Sequence, residues 1–86
     1  MEPITLCDLP RGGTGIVSNI RGETRLKRRL SEMGLVKGAR VEAMQTAPLG
    51  DPRIYAVAGF RLSLRNEEAR LVILDGKHEE VPGNVG

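Results

Sequence analysis

Phe60-Arg61-Leu62-Ser63-Leu64-Arg65 alternates apolar and polar residues without a break. A period of two is that of a strand with one face in a core and the other in water, so Phe60, Leu62 and Leu64 are assigned to the interior. Working back towards the N-terminus, Gly59 separates this strand from Arg53-Ile54-Tyr55-Ala56-Val57-Ala58. Before that comes Ala47-Pro48-Leu49-Gly50-Asp51-Pro52, where two prolines and a glycine in six residues dictate a rigid loop. Arg40-Val41-Glu42-Ala43-Met44-Gln45-Thr46 begins with the same alternation and forms another strand. Working forward, Asn66-Glu67-Glu68-Ala69 reads as one helical turn capped by Asn66, and Leu71-Val72-Ile73-Leu74 as a last short strand.

The first strand is Thr14 to Ile20, entered through the turn Arg11-Gly12-Gly13. After Gly22 the period changes. Leu26, Leu30 and Met33 recur at i, i+4 and i+7, one apolar stripe on a helix of about three turns. Gly34 is placed to end that helix in a left-handed cap, with Leu35 folding back onto the stripe. Five short strands and one helix after the first strand make a mainly β fold. Such strands bury their apolar faces most readily in a small barrel, which also removes exposed edges. Residues 1–74 form this domain; Asp75 to Gly86 has no apolar periodicity and is expected to be a flexible tail.

Size bounds the function. A domain of 86 residues hides about 60 to 65% of its unfolded surface, leaving a thin core. A deep pocket of several hundred Å³ would have to be cut from that core, which argues against an enzyme. Cys7 is the only cysteine, so no disulfide can staple the chain, and a reducing compartment fits best. The start, Met1-Glu2-Pro3-Ile4-Thr5, lacks the charge and apolar run of an export signal, and no stretch approaches ~18 consecutive apolar residues. Both features point to the cytoplasm, without membrane insertion.

Chemical motifs are scarce. Cys7 and His78 are the only soft or imidazole ligands, far from the four closely spaced donors of a structural zinc site. They read as a partly buried structural cysteine and a solvated histidine; the alternative is a weak or adventitious divalent-metal site completed by Asp51 or a glutamate. No cofactor is expected. Gly12-Gly13-Thr14-Gly15 is not followed by the lysine and hydroxyl residue of a phosphate-binding loop, and no base is at hand for a nucleophile.

Charge is more informative. The net charge is +2, but Arg21 to Arg40 holds seven basic and two acidic residues. With Leu26, Leu30 and Met33 turned inward, Arg25, Lys27, Arg28 and Arg29 surround the outer face of the helix. That face either keeps the domain solvated or binds acidic protein surfaces or nucleic-acid phosphates. Small barrels that read nucleic acid add aromatic stacking platforms. Tyr55 and Phe60 are the only aromatics, and Phe60 is assigned to the core, so a protein partner is favoured. Self-association through strand edges or apolar patches is a further option.

Arg28-Arg29-Leu30, Met33-Gly34-Leu35, Lys37-Gly38, the loop Ala47 to Pro52, Leu62-Ser63-Leu64-Arg65 and Glu67-Glu68-Ala69, in that order, resemble the ferrous iron transport protein A (FeoA) family. The resemblance runs from about Ile4 to Leu74. It implies an SH3-like barrel with an inserted helix, and a cytoplasmic role beside FeoB, a membrane GTPase that transports ferrous iron. Docking on the cytosolic region of that transporter would use Arg25, Lys27, Arg28 and Arg29, or the loop through Leu49 and Asp51. The family's fold also occurs at the C-terminal end of metal-dependent repressors, which leaves a regulatory domain or a basic nucleic-acid-associated module as the alternative. Most of the shared residues have structural reasons to be there, as turn glycines, loop prolines and core leucines.

Overall fold

A computed structural model describes residues 4–46 and 50–75. A 3₁₀ turn, Leu6–Asp8, is followed by β1 (Thr14–Ile20), α1 (Thr24–Glu32), β2 (Arg40–Thr46), β3 (Arg53–Val57), β4 (Phe60–Leu64), α2 (Asn66–Ala69) and β5 (Val72–Leu74). The strands lie in the order β4-β3-β2-β1-β5 and every pair is antiparallel.

β1 serves two neighbours in succession. Thr14 to Ile16 pair with β2, whereas Val17 to Ile20 pair with β5, and the register slips between Val17 and Asn19. A bulge changes which side of a strand faces inward. Here it turns both Val17 and Ile20 into the core, and a strict alternation along Thr14 to Ile20 does not describe that strand. Gly15, in the part of β1 that pairs with β2, lies against the side chain of Leu74 at the end of β5. A Cβ there would sit 2.8 Å from Leu74 Cδ1, so the glycine leaves room for the Leu74 side chain over β1.

α1 ends as its residues dictate. Gly34 adopts φ +101°, the Gly34 N–H donates to Ser31 O (3.0 Å) and the Leu35 N–H donates to Leu30 O (3.1 Å). This pair of bonds satisfies two of the last helical carbonyls and returns Leu35 to the interior, where it is fully buried beside Leu30. Each such side chain contributes about 1.5–3 kcal/mol by leaving water.

The two sheet edges are finished differently. Beside β5, the Leu74 N–H donates to Ile4 O (2.8 Å) and Thr5 bridges Ile73, so the N-terminal segment covers that edge. β4 pairs only with β3, and among the described residues no strand pairs with its other side. The barrel is thus partly open, and the expectation of a fold without exposed edges is corrected at β4. Asp75 is still tied in, its N–H donating to Ile16 O (2.8 Å). The remainder of the expected tail lies outside the described residues.

Two local expectations also change. Phe60 shares the inner face with Tyr55 and Val57 but is 67% exposed, whereas Val57 is covered by the chain at Gly34, just past the end of α1. Asn66 is the first residue of α2 and not its cap; its backbone N–H donates to Asp51 Oδ1 (2.8 Å) and its Nδ2 to Gly50 O (3.1 Å).

Candidate docking surface

Leu30 anchors α1 to the core, with Leu26 and Met33 half-buried on either side of it along the stripe. Arg25, Lys27, Arg28 and Arg29 are all exposed, as the periodicity requires. They do not form one cluster. At about 100° per residue, Arg25, Arg28 and Arg29 occupy neighbouring ridges, and Lys27 points to the opposite flank. Lys27 lines a shallow groove with Lys37, Ser31 and the end of β1. Arg29 leans the other way and pairs with Glu68 of α2, the one ion pair among the described residues. Exposed pairs of this kind add little stability, but this one occupies the guanidinium. Arg25 and Arg28, with Lys27 on the far flank, are the exposed cations of α1 for which no ion pair is found among the described residues.

The second candidate contact, the loop through Leu49 and Asp51, divides in the same way. Asp51 is exposed yet accepts the first free N–H of α2, as an N-terminal capping group does. Leu49 lies outside the described residues. Asp51 therefore has a structural task fifteen residues away from its own position, a pairing invisible to any local reading.

Cys7 is half-buried against the core, and its carbonyl accepts a bond from Arg53 Nη1 (2.8 Å). Arg53 Nη2 donates to Leu9 O (2.5 Å), and the guanidinium lies 5.7 Å from the centre of the Tyr55 ring. Arg53 thus clamps the N-terminal segment to β3, a role that its place at the start of a strand did not signal. Tyr55, fully buried, donates its hydroxyl to Leu6 O (3.3 Å). Burial pushes its phenol above the usual 10.0, and the nearby Arg53 charge offsets part of that. No three histidine, cysteine or acidic side chains converge among the described residues. Cys7 is accordingly not joined to a metal-binding set there, and His78 falls outside the described residues.

The FeoA domain model matches residues 4–75. The chain belongs to the FeoA domain family. Over 64 residues, 74% of the chain, this FeoA domain is 34% identical to an Fe(2+) transport protein A/Fe(2+) transporter FeoB fusion protein of Porphyromonas gingivalis. It spans 8% of that much longer protein. Among solved structures it resembles the zinc complex of Stenotrophomonas maltophilia FeoA, described as a procaryotic SH3 domain protein. The identity is 32% and the TM-score 0.78, with 90% of this chain and 95% of the other covered. A FeoA-like protein of Clostridium acetobutylicum superposes with a TM-score of 0.80 at 28% identity, covering 94% of each chain. The partly open barrel of this FeoA domain is therefore SH3-like, as its resemblance to the family implied. No helix among the described residues is long and apolar enough to cross a membrane.

Proposed function

We propose that this FeoA domain is a cytoplasmic accessory of ferrous iron uptake that docks on the cytosolic region of a FeoB-type transporter and modulates it, acting by binding and not by catalysis. The observation that carries this reading is the Porphyromonas relative, in which transport protein A and transporter FeoB are one polypeptide. Fusion holds the two partners at high effective concentration, which is useful only if they meet. Arg25 and Arg28 are the contact residues proposed on α1, since Arg29 is engaged with Glu68 and Asp51 with Asn66. Their fit is to an acidic protein face, by paired hydrogen bonds from each guanidinium. Docking of this kind requires no metal in the domain.

The test is titration of the purified chain against the cytosolic region of the transporter from the same organism, with and without guanine nucleotide. A complex is expected, weakened roughly tenfold or more when Arg25→Glu and Arg28→Glu are combined, because each charge reversal sets like charges across the contact. Absence of a complex at high micromolar concentration under both conditions overturns the reading.

A further inference from the structure

A hollow of about 390 Å³ lies between the end of α1 and the β3–β4 turn, lined by Glu32, Met33, Ala58, Phe60, Arg61 and Leu62. Its position follows from the helix cap. α1 closes at Glu32, and Gly34, which caps it, lies against Val57 and Ala58 and lines the hollow as well. Phe60, across the ladder from Val57, stays uncovered. Val57, directly opposite Phe60 in the ladder, is 2% exposed, whereas Phe60 is 67% exposed. Arg61 belongs to the other face of the strand and yet lines the same hollow, so the hollow opens over the strand's edge. Along that edge, half of the backbone N–H and C=O groups of β4 point away from β3. Among the described residues nothing takes them up.

An unpaired edge beside an apolar hollow is the geometry in which an extended peptide adds a strand. Backbone bonds supply affinity and alternate side chains supply selectivity. The residues of β4 state what those side chains must be. Arg61 and Ser63 on its outer face, and Arg65 just beyond its end, are all exposed, so a strand laid alongside meets two cations on that side. Phe60, Leu62 and Met33 meet its other side, with Glu32 at the rim repelling carboxylates. We infer that the β4 edge and this hollow bind an extended segment of a partner protein in which acidic residues alternate with apolar ones. A second copy of β4 fits poorly, because antiparallel pairing of two copies would bring Arg61 and Arg65 of both onto one face. This inference does not rest on the identity of the transporter, and failure of the titration above leaves it standing.

The probe is a synthetic six-residue peptide of alternating glutamate and leucine, titrated into the ¹⁵N-labelled full chain. A lysine–leucine peptide and a six-nucleotide oligouridylate serve as the comparisons. The glutamate peptide is expected to shift the amides of Phe60 to Leu64 together with those of Met33 and Gly34. Phe60→Ala should weaken it roughly tenfold, the loss typical of an aromatic anchor. The double variant Arg61→Glu, Arg65→Glu should transfer the preference to the lysine peptide. Both substitutions are at exposed positions, so a well-dispersed spectrum checks that the fold is intact. The inference is overturned by any of four results: no shift with the glutamate peptide, shifts confined to α1, an equal response to the lysine peptide, or the same amides moving with the oligonucleotide instead. Shifts of β4 amides on diluting the protein alone would name a second copy as the occupant and overturn it as well.

Discussion

The middle of the β3–β4 hairpin and its turn end share one face and have opposite fates. In the middle Tyr55 is fully buried, bonded to Leu6 and flanked by Arg53, which ties the N-terminal segment across it. At the open turn end Phe60, two strand positions beyond the partner of Tyr55, stands in solvent above an unfilled hollow. The sequence alternation assigns Phe60 to the interior and is silent on Tyr55, whose strand is apolar from Ile54 to Ala58. What separates them is what lies above: a chain segment fastened by guanidinium hydrogen bonds in one case, and the blunt end of a short helix in the other.

The sharpest way to break this contrast is truncation of each ring. Tyr55→Ala leaves a cavity in the core and should cost about 3–5 kcal/mol, enough to threaten a domain of this size. Phe60→Ala should change stability by no more than about 0.5 kcal/mol, because the ring is already in water. Urea denaturation of the two variants measures both, and equal losses would show that the open end is closed in solution. A smaller effect is expected from the clamp. Arg53→Met leaves Cys7 O and Leu9 O without their charged donor and should cost roughly 1.5–3 kcal/mol. Hydrogen exchange should quicken at the Leu74 N–H, whose acceptor is in the segment released; unchanged protection there would separate the clamp from the covered edge.

The smallest effect is alkaline. Burial raises the Tyr55 phenol pKa in the folded state, so on raising the pH the unfolded chain releases this proton first. Its contribution is fully present below pH 10 and is lost as the pH climbs through the raised value. Tyr55→Phe removes the titration at the cost of one buried hydrogen bond, about 1 kcal/mol near neutrality. The gap between the two proteins should therefore narrow as the pH rises above about 10. A constant gap would mean that the phenol is not held in an apolar site.

Much of the fold was legible. β1 and β2 run over the residues that the pattern marks, α1 has its apolar stripe inward, and Gly34 caps it with Leu35 returning to the core. These are local features, carried by period and by glycine's freedom at positive φ. Four things were not legible, each because it depends on residues distant in the chain. The bulge in β1 arises from pairing with β2 and then with β5. Asp51 finds its acceptor role at Asn66, Arg29 its partner at Glu68, and Arg53 its carbonyls at Cys7 and Leu9. The candidate docking residues suffered most from this. Charge and exposure placed all four cations on one helix, but tertiary contacts decide which of them still point outward.

The bond between Leu74 and Ile4 has a consequence for how the barrel can be carried by larger polypeptides. The domain's entry segment and its last strand lie side by side, so a host chain could be interrupted by it without its flanking residues being pulled apart. The closure entropy of such an insertion is small, and joining the two ends by a short linker should likewise permit new termini elsewhere, for example at the Ala58-Gly59 turn. Adjacent ends make the barrel portable.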